Sequence, residues 1–210
     1  MSTSFPVDPN QHDRFILRQR FRLVVNEYEF SLPTDGADKP GQPFCFVRQK
    51  RLTWKEDIRF YTDESRSIEL MRIKARQRFD PRARYDVTAA DGSKVGEIQK
   101  VFGTSLLRST YRLYDAQGQE AATATEKSLG VALIRRAVGF VPYLDNVADW
   151  LPIPYHFTFE RDGRVLGSHR RQIGKIRDTY TIDLSGDPER SLDRRLVLAI
   201  AVGMDALQAR

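Results

Sequence analysis

The run LVLAIAVGM, Leu196 to Met204, contains no polar side chain. A helix built on it is apolar around its whole circumference and must be enclosed on every side. Either lipid or protein could enclose it, and length decides between them. The run rises only ~13 Å at ~1.5 Å per residue, whereas a bilayer core takes about 20 apolar residues. Arg194, Arg195 and Asp205 bracket the run and would be drawn into hydrocarbon by any longer span. Protein must therefore surround the helix, and burying its large side chains contributes on the order of 10 kcal/mol before chain entropy is subtracted. Asp187 followed by Pro188 reads as an N-cap and first-turn pair, with Glu189 suited to the helix N-terminus, so the spacing predicts helix from about Asp187 to Leu207.

The rest of the chain reads as strands. RFILRQRFRLVVNEYEF and CFVRQKRLTWKEDIRFY are rich in aromatic and β-branched residues. They also resemble each other at a shift of 30: Arg18-Gln19-Arg20 meets Arg48-Gln49-Lys50, Tyr28 meets Ile58 and Phe30 meets Phe60, a weak internal repeat. Three further segments, YDVTAADGSKVGEI, YRLYDAQGQEAATA and FTFERDGRVLGSH, each enter a glycine turn and leave as a second strand. Asp91-Gly92 and Asp162-Gly163 are strong tight-turn pairs and Gln117-Gly118 a weaker one. DTYTIDL closes the series. Many short strands ahead of one wholly apolar helix predict a mainly β domain, a barrel threaded by that helix. In EKSLGVALIRRAVGF the apolar spacing predicts a short amphipathic helix near 126–140, followed by an apolar loop.

The segment IELMRIKARQRF alternates Met71, Ile73, Ala75 and Phe79 with Arg72, Lys74, Arg76 and Arg78. Period-2 alternation indicates a strand with one buried face and a row of cations on the other. A helix is the competing reading, since these are good helix formers, but it would scatter the cations around the cylinder. Overall charge is +6, and arginine outnumbers lysine, the better fork for phosphate or carboxylate. A second basic run from Arg161 to Arg177 reads equally well as a solvated face that discourages sheet pairing.

The single cysteine, Cys45, excludes an intrachain disulfide and a zinc site of several thiolates. The N-terminal residues lack a basic and apolar leader, so a reducing, cytoplasmic setting is the expectation. Enzyme motifs are missing. Gly174-Lys175 is followed by isoleucine, no Gly-x-Ser-x-Gly or His-Glu-x-x-His occurs, and His12, His156 and His169 pair with no nucleophile. No cofactor and no metal is expected. Asp178, Asp183, Asp187 and Glu189 lack the spacing of a calcium loop.

The order FVRQKRL…EDIRFYTDES…LMRIKARQRFD…RYDVTAADGSKVGEI…SLLRSTYRLYDAQG…DTYTIDLSG…LDRRLVLAIAVGMDAL resembles the Tubby C-terminal-like superfamily, nearest to its LURP-one-related and phospholipid scramblase-like branches. The resemblance runs from about Phe15 to Leu207. It implies a closed antiparallel barrel of about 12 strands around a buried C-terminal helix, with residues 1–12 as a tail and 13–210 as one domain. Tubby-type domains bind phosphoinositide headgroups through basic residues on neighbouring strands. By that likeness Arg72, Lys74, Arg76 and Arg78, aided by Arg135 and Arg136, form a candidate lipid or anion site on a peripheral, non-enzymatic module. The scramblase cysteine cluster is absent. A protein-interaction scaffold is the alternative, and nucleic acid a second one for which no recognition helix or aromatic platform stands out.

Overall fold

The computed structural model describes residues 4–21, 25–34, 38–50, 57–76, 84–101, 109–127, 156–172 and 179–208. Twelve strands lie within them: β1 (Arg14–Phe21), β2 (Val25–Pro33), β3 (Pro40–Lys50), β4 (Asp57–Tyr61), β5 (Glu69–Ala75), β6 (Arg84–Ala89), β7 (Lys94–Val101), β8 (Thr110–Tyr114), β9 (Glu120–Glu126), β10 (His156–Arg161), β11 (Arg164–Arg171) and β12 (Thr179–Asp183). Each pairs antiparallel with the next, and β12 pairs back onto β1, which closes the barrel. Closure leaves no unpaired sheet edge. Helix α1 (Arg194–Gln208) follows. The amphipathic helix expected near 126–140 lies outside the described residues apart from Glu126, the last residue of β9, and Lys127 beside it.

Side-chain alternation fills the interior. Leu17, Phe30, Val47, Ile58, Met71, Ile73, Val87, Ile98, Leu113, Phe157, Phe159 and Ile182 are each at most 1% exposed and share one core with the helix. Within α1, Leu196 to Val202 and Met204 are all fully buried. The apolar circumference is thus met by strand side chains on all sides, as its length required. The 30-residue repeat has a structural counterpart too. Phe30 and Phe60 are stacked with ring centroids 6.4 Å apart, and Gln19 and Gln49, both buried, occupy matching positions on β1 and β3 opposite Tyr28 and Ile58.

The helix starts later than its sequence suggests. Residues 187–193 form turns, and α1 begins at Arg194. Asp193 takes the capping position: its carboxylate accepts the Arg195 N–H at 2.9 Å, and its carbonyl accepts the N–H groups of Leu196 and Val197. Asp187 has a different task. Its carboxylate accepts from the Ser191 hydroxyl, the Leu192 N–H and, at 2.5 Å, Arg194 Nη1. Arg194 is fully buried. It also donates to Asp13 Oδ1 at 2.9 Å and to the carbonyls of Asp187 and Leu192, while its backbone N–H donates to Asn10 Oδ1 at 2.8 Å. Every donor group of this guanidinium is engaged, which is the condition under which a charge can be buried at all. The N-terminal segment is thereby tied to the start of the helix at the mouth where the helix enters, here called the entry end.

Three turns at the entry end are short. At Asp162-Gly163 both residues have positive φ, 51° and 74°, whereas at Asp91-Gly92 and Gln117-Gly118 only the glycine does. Register shifts at Phe30/Ser31, Phe60/Tyr61, Val87/Thr88, Leu113/Tyr114 and Phe159/Glu160 all fall in the same half of the barrel. Bulges of this kind bend strands inward, which lets the sheet close over the helix N-terminus.

Candidate functional site

Strand β5 carries the predicted cationic row. Met71 and Ile73 point into the core, and Arg72 and Lys74 point outward between them. Arg76 follows the end of the strand, its N–H bonded to the Arg84 carbonyl at 3.1 Å, which keeps it in line with the row. Arg78, Arg135 and Arg136 lie outside the described residues.

Pairing register decides what these cations meet. Lys74 sits opposite Asp57 on β4 and Asp86 on β6, and Asp86 sits opposite Glu97 on β7. Arg72 sits opposite Arg59 and Thr88. The result is a lattice of mixed sign. Arg59 bonds Asp57 at 2.9 Å and reaches Glu69 at 3.4 Å. Arg76 bonds Asp86 and Glu97, each at 2.7 Å. Lys94 bonds Glu97 at 2.5 Å, and Arg84 lies 3.7 Å from the same carboxylate and over the ring of Tyr114. Burial of Glu97 favours its neutral form, but hydrogen bonds from Lys94 and Arg76 outweigh that and lower its pKa. Hydrogen bonds from Arg76 to Asp86 hold that guanidinium firmly charged.

Arg72 and Lys74 are treated differently. Arg72 makes a single long contact, 3.4 Å, to the Thr88 hydroxyl. Lys74 is exposed, and among the described residues neither cation has an ion-pair partner within 4 Å. The face therefore holds two adjacent cations that form no direct ion pair, Lys74 flanked across the strands by Asp57 and Asp86.

A family model for LURP-one-related domains matches residues 45–205. The chain belongs to the LURP-one-related family. That family sits within the Tubby-like superfamily, in agreement with the barrel and its central helix. A search of curated proteins returns no match.

The LURP-one-related barrel places the second basic run on several surfaces. Arg161 bonds the Ser191 hydroxyl and Arg164 the Gly186 carbonyl at 3.2 Å, both near the entry end. Arg170 is exposed, whereas His169 next to it turns inward and is 1% exposed. Lys175 and Arg177 lie outside the described residues. Arg59, Arg84, Asp86 and Glu97 shape the β5 face, and no local sequence pattern singles them out, because their proximity comes from strand pairing. Among the described residues no helix is long and apolar enough to cross a membrane.

Proposed function

We propose that this LURP-one-related domain is a non-enzymatic module that docks peripherally on anionic phospholipid headgroups. The observation that carries the reading is the pair Arg72 and Lys74, outward and unmatched on a face whose other charges are paired. A headgroup phosphate accepts from a guanidinium fork and an ammonium at once.

Composition at the two barrel ends supports it. Strand order puts TDGADK, TDESRSI, ADGS, DAQGQ and LSGDPERSLD between strand ends at the entry end, and acids dominate them. At the opposite end the connecting sequences are RLTWKE, RQRFDPRA, FGTSLLRS, QIGKIRD and the long 127–155 segment. Lys and Arg dominate these, Arg78, Arg135 and Arg136 among them. Both tryptophans of the chain, Trp54 and Trp150, belong to these connecting sequences. Strand β5 runs toward this basic end, so Lys74 and Arg76 approach it. Cations mixed with aromatics suit the headgroup boundary.

Arg72→Gln combined with Lys74→Gln tests the reading. Each cation near an anionic leaflet contributes about 1 kcal/mol, so the double variant should pellet with anionic vesicles about thirtyfold less strongly at unchanged thermal stability. The attraction should also weaken with added salt. If the unmutated protein fails to pellet at low salt with phosphatidylserine and with phosphoinositide vesicles, the protein-interaction scaffold replaces this function.

A further inference from the structure

The flank across the barrel from β5 carries a groove of about 610 Å³ over β9 to β12. Its floor is a rung of small hydroxyl side chains, with Thr158 opposite Thr125 on one side and Ser168 on the other. Small residues on three neighbouring strands leave a trough where larger ones would stand proud. The next rung toward the basic end is cationic. His156 pairs directly with Arg170, and the His156 carbonyl accepts the Lys127 N–H at 2.9 Å. Adjacent strands lie about 4.8 Å apart, so three nitrogen-bearing side chains converge on one wall of the trough.

Among the described residues Lys127, His156 and Arg170 form no ion pair, unlike Arg59, Arg76, Arg84 and Lys94 around β5. Burial, then the charges of Lys127 and Arg170, lower the pKa of His156. Like charges held together beside open hydroxyl donors are the arrangement that a bound oxyanion relieves. Asp183 stands in register with Ser168 on the hydroxyl rung, and Glu160 lines the groove one rung nearer the entry end, both acceptors for hydroxyl or ammonium groups. The Asp183 carboxylate is held by the Ser185 N–H at 3.0 Å and by Arg14 at 3.5 Å.

We infer that this groove is a second, separate binding site, for a phosphate monoester whose phosphoryl group lies against Lys127, His156 and Arg170 and whose hydroxyl-bearing arm reaches Glu160 and Asp183. The phosphoryl oxygens accept from Arg170, Lys127 and the Thr158 and Ser168 hydroxyls. The polyol donates to the two carboxylates. A sugar phosphate or a glycerol phosphate has this polarity, and inorganic phosphate fills only half of it. The site is separate from the β5 strand, which lies four strands from β9 one way around the barrel and five from β12 the other way.

Glycerol 3-phosphate and phosphatidate vesicles offer the same phosphomonoester in soluble and in membrane form. Titrating the ¹⁵N-labelled protein with glycerol 3-phosphate should shift the backbone signals of Lys127, Thr158, Ser168 and Arg170 saturably, and more tightly than inorganic phosphate does. Lys127→Gln with Arg170→Gln, both at exposed positions, should weaken that binding about tenfold or more without changing thermal stability. Arg72→Gln with Lys74→Gln should leave it unchanged. Saturable binding of the soluble ester assigns a soluble ligand. Loss of pelleting on phosphatidate vesicles by the Lys127/Arg170 variant alone assigns the lipid. The site is overturned if neither probe binds at millimolar levels, or if binding survives the Lys127/Arg170 substitutions undiminished.

Discussion

His169 is a buried imidazole, 5.0 Å from the Tyr180 ring centroid, inside a barrel that otherwise holds mostly hydrocarbon. Burial, with a further contribution from His156, pulls its pKa down to about 3. The folded protein therefore keeps it neutral, while an unfolded chain protonates it near 6.5. Between those values the unfolded state binds the extra proton, so stability is complete above about pH 6.5 and falls by about 1.4 kcal/mol per unit as the pH drops toward 3. Asp187 adds a second, lower window. Its burial opposes ionisation, but hydrogen bonds from Ser191, Leu192 and Arg194 bring its pKa down to about 2. That contribution is complete above about pH 4 and is lost as the pH falls through 2. Urea midpoints for His169→Gln should lose most of their slope between pH 6.5 and 4 and keep the steep loss below it. An unaltered slope above pH 4 would show that His169 is not the group responsible. The sequence places His169 in a run of basic residues, and only its position opposite Ile182 on β12 reveals that it points inward.

At the scale of strands and helix, contact between β7 and α1 depends on Gly96. A methyl group there would lie 2.4 Å from the Tyr114 carbonyl oxygen and 3.1 Å from Leu196 Cδ2. Backbone cannot yield to that approach, so Gly96→Ala should cost about 1–3 kcal/mol, read as a lower thermal midpoint. An unchanged midpoint would mean that β7 and the helix are not packed this closely. Elements of this kind were legible unevenly. Strands and tight turns announce themselves locally through alternation and Asp-Gly or Gln-Gly pairs, and the pattern of Met71 to Lys74 correctly gives the two faces of β5. The helix start was not legible, because Asp187-Pro188 has the local chemistry of a cap. What holds the buried Arg194 at the helix start includes a hydrogen bond to Asp13, 181 residues upstream. The neutralisation of Arg76 by Asp86 and Glu97 is equally nonlocal, and it separates the paired cations of the site from the unpaired ones.

For the molecule as a whole, a barrel of twelve strands is too wide to fill itself with its own side chains, and α1 supplies the missing volume. Ile200 lies in the middle of that plug and is fully buried. Ile200→Asp places an unpaired carboxylate there, at a cost of several kcal/mol, comparable to the entire stability of a domain this size. The expected outcome is an insoluble or unfolded protein with no cooperative melting transition. A soluble variant with native circular dichroism would mean that the helix is not enclosed. The two charge distributions, an ion-paired lattice around Arg72 and Lys74 on β5 and a groove across the barrel where Lys127, His156 and Arg170 form no direct ion pair, belong to this scale as well. Composition alone reports only +6 and cannot say that the surplus is split.

The order of elements along the chain has a consequence for synthesis. All twelve strands leave the ribosome before the helix that they enclose. Until residues 194–208 emerge, the nascent sheet has apolar inner faces with nothing to cover them, and Arg194 is not yet there to pair with Asp13. Pairing β1 with β12 and threading α1 are therefore late, long-range events, of the kind that slows folding and leaves sticky surface exposed in the interval. A cell making this protein must shield a half-built cylinder for as long as translation of its last strands takes.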